Sequence, residues 1–305
     1  MNNIETDELK RYGLKKGFVN DTDILKVKEK IKKIPKLSLS LDLIEDERDD
    51  RDFSLNESAY DIMTSTKVDW TSKMSPVKDQ GKLGSCVGFA TAAMKEFQEQ
   101  IEHDREVAEG KSYRREQDHY DLSEAWIYWN CKKIDPWPKQ QGTSIRCAMK
   151  VLHKIGVPCE KAYPYSDKYK GEPTKWSKLI AKWGLIDSYW RCKNLNSLRL
   201  GLNSGPVVIG IYCFEEIFFV NKNGKVRYPR YPKNLLGGHA ICAVGYNDKN
   251  KTIKFKNSWG KEWGKNGYGF ISYKYINDFM VDAWVARDLS VTRKILNERA
   301  NDELI

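Results

Sequence analysis

The sequence predicts an α+β fold with two lobes and a cleft between them, and three observations carry that prediction. Runs of good helix formers with apolar residues at helical spacing fill the first half of the main body. Short β-branched and aromatic runs, separated by Gly, Asn and Asp, fill the second half. No internal repeat or low-complexity tract is present, which excludes solenoid architectures.

Residues 1–65 form a highly charged extension. Within it, Asp21 to Ile34 reads as a short amphipathic helix stopped by Pro35, and an acidic stretch follows from Glu45 to Asp52. From Val68 to about Leu289 the composition turns aromatic and Gly-punctuated, marking the folded body. A helix is expected over Ser85 to His103, with Val87, Ala90, Met94, Phe97 and Ile101 on one face. Two more are expected over Asp121 to Cys131 and Ile145 to Ile155, the latter ending at Gly156 and Pro158. Strands are expected over Pro206 to Tyr212, His239 to Tyr246, Lys251 to Lys256 and Gly267 to Tyr273, a pattern that fits a small barrel or twisted antiparallel sheet. Residues 287–305 read as a terminal helix. The domain division expected is a 1–65 extension, a 66–290 body and a 291–305 tail.

A chain of 305 residues with 40% hydrophobic composition fills a sizeable core, and no apolar run approaches the 18 residues a membrane span needs. No membrane partner is expected. The formal charge is +10, yet residues 1–60 hold 12 Lys+Arg against 14 Asp+Glu, leaving 40 against 28 in the remainder. Those basic residues are scattered singly and accompany no nucleic-acid-binding motif, so solubility and mild attraction to acidic partners are expected rather than nucleic-acid binding. The start lacks the apolar core of a secretory signal, which makes a cytoplasmic location the expectation. Seven cysteines form no CxxC pair, so no metal or other cofactor is expected, and the six besides Cys86 are expected as thiols.

Cys86 falls in the first turn of the predicted helix from Ser85, where unpaired N–H groups and the helix dipole favour a negative sulfur. A base for it must come from four histidines, 103, 119, 153 and 239. Three lie in polar helix or loop contexts. His239 follows Gly237-Gly238, which permits close backbone approach, and precedes an apolar strand. Asn257 stands at the end of the next predicted strand, where a hairpin would bring its side-chain oxygen to the imidazole. Taken singly, each of these residues reads as ordinary core.

Together they carry a resemblance. The segment from Val68 through Gln80-Gly81, with Gly84-Ser-Cys86-Val-Gly-Phe-Ala90, resembles the nucleophile region of papain-like (C1) cysteine peptidases. Leu122-Ser-Glu124, Ala162-Tyr-Pro-Tyr165, Gly205-Pro-Val207, His239 to Tyr246 and Lys256-Asn-Ser-Trp to Tyr268 follow in the family's order, and the resemblance covers about residues 68–275. A Cys-to-His separation of 153 residues matches the spacing of this fold.

The resemblance implies a mainly helical left lobe, a β-barrel-like right lobe and hydrolysis of peptide bonds in peptide or protein substrates, with endopeptidase action expected. Cys86 would attack the scissile carbonyl, His239 would hold the thiolate as an ion pair and protonate the leaving amine, Asn257 would orient the ring, and Gln80 would donate to the oxyanion. The substrate-binding residues it implies are Gly142, Ile145, Gly210, Gly238 and Trp259. Ile145, Gly210 and Gly238 would shape a roomy, largely neutral pocket for the second residue before the cut, and Trp259 would shield the Asn–His hydrogen bond. Val87 stands where an aromatic usually follows the nucleophile, and Leu83 replaces a cysteine that secreted members use in a disulfide. Both departures point to the intracellular, prokaryote-type branch. Residues 1–65 are a candidate inhibitory propeptide, although shorter than is typical. The competing readings are a catalytically idle peptide-binding homologue and an acyl-transfer or ligase variant.

Overall fold

The computed structural model describes residues 41–46, 49, 52–54, 65–110, 121–232 and 234–288. The helix expected over Asp21 to Ile34 lies outside the described residues, as does the expected terminal helix from residue 289 onward; residues 287–288 belong to a strand.

The expected first helix is α1, Cys86–Ala108, with Ser85 at its N-cap. Of its predicted apolar face Val87, Ala90, Met94 and Phe97 are buried and Ile101 is half-buried, but Gly88, Phe89, Thr91, Ala92 and Ala93 are buried too, because the helix runs through the middle of the molecule and packs on both lobes. Only its second half keeps a polar side. Helix α2 spans Glu124–Ile134 rather than starting at Asp121, because Leu122 pairs with Cys159 and the Ser123 hydroxyl caps Trp126 N–H at 3.0 Å. Helix α3, Ile145–Lys154, is capped by Ser144 and stops at Gly156 as read.

The second half holds the expected strands and more. After β1, Lys67–Asp69, come helix α4, Lys175–Ala181, strand β2, Ile186–Arg191, and helix α5, Leu195–Ser204. Then follow β3, Val207–Cys213, β4, Gly237–Asn247, β5, Thr252–Lys256, β6, Tyr268–Ser272, α6, Tyr273–Phe279, and β7, Met280–Asp288. All pairings are antiparallel in the order β2-β7-β3-β4-β5-β6, with β1 added on β4.

Two cores result. The first gathers α1, α2 and α3 against Val208, Ala240, Cys242, Val244 and Trp284 of the sheet. The second gathers the alternate residues Val207, Ile209, Ile211, Ile241 and Ala243 with Phe255, Trp259 and Trp263. The period-2 alternation of a strand sends its side chains to opposite faces, so β3 and β4, covered on both, read as continuous apolar runs.

A buried charge cluster joins the lobes behind the cleft. Lys78 Nζ meets Glu96 at 3.2 Å, Glu124 at 2.6 Å and Asp121 at 2.5 Å, while Ser75 bonds both Glu96 and the Lys256 ammonium. Glu96 also accepts from Leu122 N–H at 2.9 Å. Lys78→Met should therefore leave Glu96 and Glu124, only 1% and 3% exposed, with a lost counter-charge. A stability loss of about 3 kcal/mol is expected in urea unfolding, with part recovered by adding Glu124→Gln; an unchanged midpoint would contradict this account.

Candidate active site

Three elements and one loop position the four side chains expected to act together. Cys86 opens α1, where the first backbone N–H groups of the helix are unpaired within it. His239 is the third residue of β4, opposite Ile211 of β3. Asn257 follows directly on β5, which pairs with β4 through Cys242 and Lys256. The β4–β5 hairpin thus sets His239 Nε2 at 2.8 Å from Asn257 Oδ1.

That oxygen also accepts from Ser258 N–H at 2.9 Å, which fixes it as the acceptor end of the amide. Nε2 must then carry the imidazole proton, and Nδ1 presents its lone pair. Nδ1 is buried and has no hydrogen-bond partner among the described residues. The Trp259 indole stacks on the imidazole at 4.5 Å between ring centres and 25° between planes, and Phe218 stacks on Trp259 at 5.5 Å. Trp259 therefore covers one face of the imidazole.

Gln80 is fully buried on the loop before α1. Its Oε1 accepts from Ser258 Oγ at 2.6 Å, one N–H of its amide donates to Leu83 O at 3.0 Å, and its main chain bonds Ser258 O and the Tyr165 hydroxyl. Ser258 and Tyr165 thus orient Gln80. In the sequence both stand only as members of matched motifs, Ala162-Tyr-Pro-Tyr165 and Lys256-Asn-Ser-Trp, and neither spacing nor residue type marks them as supports.

The cleft is not open. Residues of the N-terminal extension cross it as a strap. Leu43 N–H donates to Gly238 O at 3.0 Å and Ile44 N–H to Thr143 O at 3.1 Å, pairing Asp42 in parallel with Gly238 and Leu43 with Thr143. Leu43, 1% exposed, fills a pocket made by Ile145, Gly210 and Gly238, so three expected substrate-binding residues line one apolar recess. A Cβ on Gly210 would fall 2.5 Å from Leu43 Cδ2, so glycine there makes the room. Gly142 adopts φ +84, and a Cβ on it would lie 1.6 Å from Asp42 O; both its backbone and its lack of a side chain let the strap pass. Lys132 Nζ holds this turn through Gly142 O at 2.8 Å.

With the strap seated, neither Cys86 nor His239 is exposed. Burial pushes the Cys86 thiol up to about 12, and the neighbouring Asp42 carboxylate adds to this, while backbone N–H groups of Ala240, Val87 and Asp42 oppose it. Burial pushes His239 down to about 4, against the pull of its bond to Asn257. Both shifts favour the neutral thiol and neutral imidazole over an ion pair. All seven cysteines are free thiols.

The Peptidase_C1 model, described as papain family cysteine protease, matches residues 64–285. The chain belongs to that family. It is 32% identical over 235 residues to an uncharacterized peptidase C1-like protein of Acanthamoeba polyphaga mimivirus, covering 72% of this chain and 71% of that protein. It is 30% identical over 217 residues to the viral cathepsin of Spodoptera litura multicapsid nucleopolyhedrovirus, covering 67% of this chain and 56% of that one. Among solved structures it resembles xylellain, a cysteine protease from Xylella fastidiosa, with a TM-score of 0.69 and 29% identity over 83% of this chain and 97% of that one.

A raised thiol value has a direct consequence: an acid whose pKa is raised ionises later as pH climbs. Alkylation of Cys86 by iodoacetamide in the full chain should keep rising between about pH 7 and 10 without a plateau. In Leu43→Asp, which puts a charge into the apolar recess, the plateau should move to lower pH. Mass spectrometry of the alkylated peptide reads both, and identical profiles would show that the strap does not govern the thiol.

Proposed function

We propose that this chain is a cysteine endopeptidase whose Cys86, His239, Asn257 and Gln80 perform the reaction and whose N-terminal strap holds it inactive. The observation that carries this reading is the imidazole whose Nε2–H is committed to Asn257 while Nδ1 keeps a lone pair, on a strand packed against the helix that begins at Cys86.

In this reading the strap leaves and water reaches the pair, which removes the burial that favours the neutral forms. His239 Nδ1 takes the Cys86 proton, and the thiolate attacks the scissile carbonyl carbon. The developing oxyanion receives a Gln80 amide N–H and the backbone N–H of Cys86. His239 returns the proton to the amine as the C–N bond breaks. A water deprotonated by His239 then cleaves the thioester and restores the thiol. Asn257 and Trp259 keep the ring in plane throughout. The strap runs through the cleft rather than ending in it, which supports cleavage inside a chain. Peptides or proteins are the substrates, and the Leu43 recess supports a preference for a branched aliphatic side chain next to the site of attack.

Peptide-library cleavage under reducing conditions tests this, comparing the full chain, Leu43→Asp, and Cys86→Ala in each. The full chain should cleave slowly, Leu43→Asp roughly tenfold faster or more, and neither Cys86→Ala form at all; burial of one leucine side chain, about 2 kcal/mol, sets that scale. Gln80→Ala should lower kcat about 10²-fold. Internal cuts identify an endopeptidase and terminal trimming an exopeptidase. No cleavage by any Cys86-containing form would sink the peptidase reading.

A further inference from the structure

The strap is anchored by more than its leucine. Beyond Ile44 it lays carboxylates on a basic flank of the cleft. Asp52 pairs with the Arg146 guanidinium and lies 3.6 Å from that of Arg191. Asp46 accepts from Arg146 N–H at 2.8 Å in the first turn of α3. Glu45 accepts from the Tyr212 hydroxyl at 3.1 Å; burial raises its carboxyl above the usual range, and the Tyr212 bond and the Arg191 charge oppose that rise. The main chain follows the same surface, since Arg191 N–H donates to Phe53 O at 2.8 Å.

The cationic side of this contact is built from the body alone. Arg191 Nε is held by Asp282 at 2.9 Å, and both guanidinium carbons lie 5.8 Å from the centre of the Trp284 ring. Asp282 and Trp284 sit on β7, and Trp284 Nε1 donates to Asp282 at 2.6 Å. The two arginine side chains are only 10% and 17% exposed with the strap in place. A guanidinium cannot shed its charge as pH changes within the working range. When the strap leaves, the carboxylate of Asp52 is gone from Arg146, while Arg191 keeps Asp282, whose carboxyl, with the strap seated, is pushed well above the usual carboxylate range by burial and by the Asp46 carboxyl beside it. Such a prearranged cation next to a peptide-binding recess selects an anion.

We propose that Arg146, Arg191 and Tyr212 form a subsite for acidic side chains of the substrate, which the strap's Glu45, Asp46 and Asp52 occupy as stand-ins. This rests on the peptidase reading only in taking the strap's track as the substrate's. The subsite lies on the same flank as the Leu43 recess, so a substrate carries its acidic residue at a fixed distance from the aliphatic one. The surplus of basic residues in the body agrees with an acidic peptide as ligand.

The test uses the full chain with Leu43→Gly and Asp52→Asn, which loosen the strap without adding charge. Short fluorescent peptides carry one leucine and a single Glu moved stepwise along the remaining positions, each paired with its Gln counterpart. Binding is read by anisotropy in the Cys86→Ala form and cleavage in the Cys86 form. At one spacing Glu should bind about tenfold tighter than Gln. That advantage should shrink as salt is raised. It should be lost in Arg146→Gln. Because Arg146→Gln could disturb α3, the salt dependence with both arginines intact is a second measure. Glu no better than Gln at every position, or an advantage indifferent to salt and to Arg146→Gln, overturns the subsite. A Glu preference in binding with no peptide cut by the Cys86 form upholds the subsite and removes the peptidase reading.

Discussion

Strand β4 is the constraint on which the site depends. It is buried along nearly its whole length, with α1 and the helical core on one face and the aromatic core of the right lobe on the other. A strand clamped on both faces cannot slip by one residue, because every side chain would exchange cores. The register that places His239 beside the start of α1 is therefore fixed by the packing of Ala240, Ile241, Cys242 and Ala243 on either side. Asn257 inherits its position from the same register through β5.

The strap uses this rigidity. Its two main-chain bonds go to Gly238 and Thr143, one on each lobe, so it closes the cleft by joining its walls. The chemical effect follows from water exclusion: with solvent removed, a separated thiolate and imidazolium lose their hydration, and the neutral pair is favoured. Asp42 adds a negative neighbour to the same thiol. In the reading proposed above, blocking the cleft and holding the Cys86 thiol neutral are one event, driven by burial of Leu43 and by the Asp52 carboxylate set between Arg146 and Arg191.

The polar supports follow a common logic. Gln80 is held by Ser258 and Tyr165, both remote from it in sequence, Asn257 by the N–H of its neighbour Ser258, and the Gly142 turn by Lys132, so each of these groups is oriented by a hydrogen-bond partner of its own. The cross-lobe cluster around Lys78 ties α1, α2 and the strand leading to Asn257 through Glu96, Glu124 and Ser75. Fixed dipoles and charges of this kind stabilise developing charge without rearranging.

The sequence by itself determined the α+β class, the family, the helix that opens at Cys86, the strands carrying His239 and preceding Asn257, and the apolar recess of Ile145, Gly210 and Gly238. These are legible because helix caps, apolar periodicity and glycine punctuation are local, and because the motifs occur in a specific order. Strands β2 and β7 were not legible: Ile186–Arg191 is half polar, and Met280–Asp288 gains its burial from β2, β3 and α3, none of which is adjacent to it in sequence. The acidic stretch from Glu45 to Asp52 reads only as part of a charged extension, because nothing in its own composition reveals Arg146 and Arg191, about 100 and 140 residues further on. Only tertiary structure decided that Leu43 enters the recess and that Cys86 and His239 are buried, which favours their neutral forms. Both are consequences of which surfaces exclude water together, a property of the folded chain.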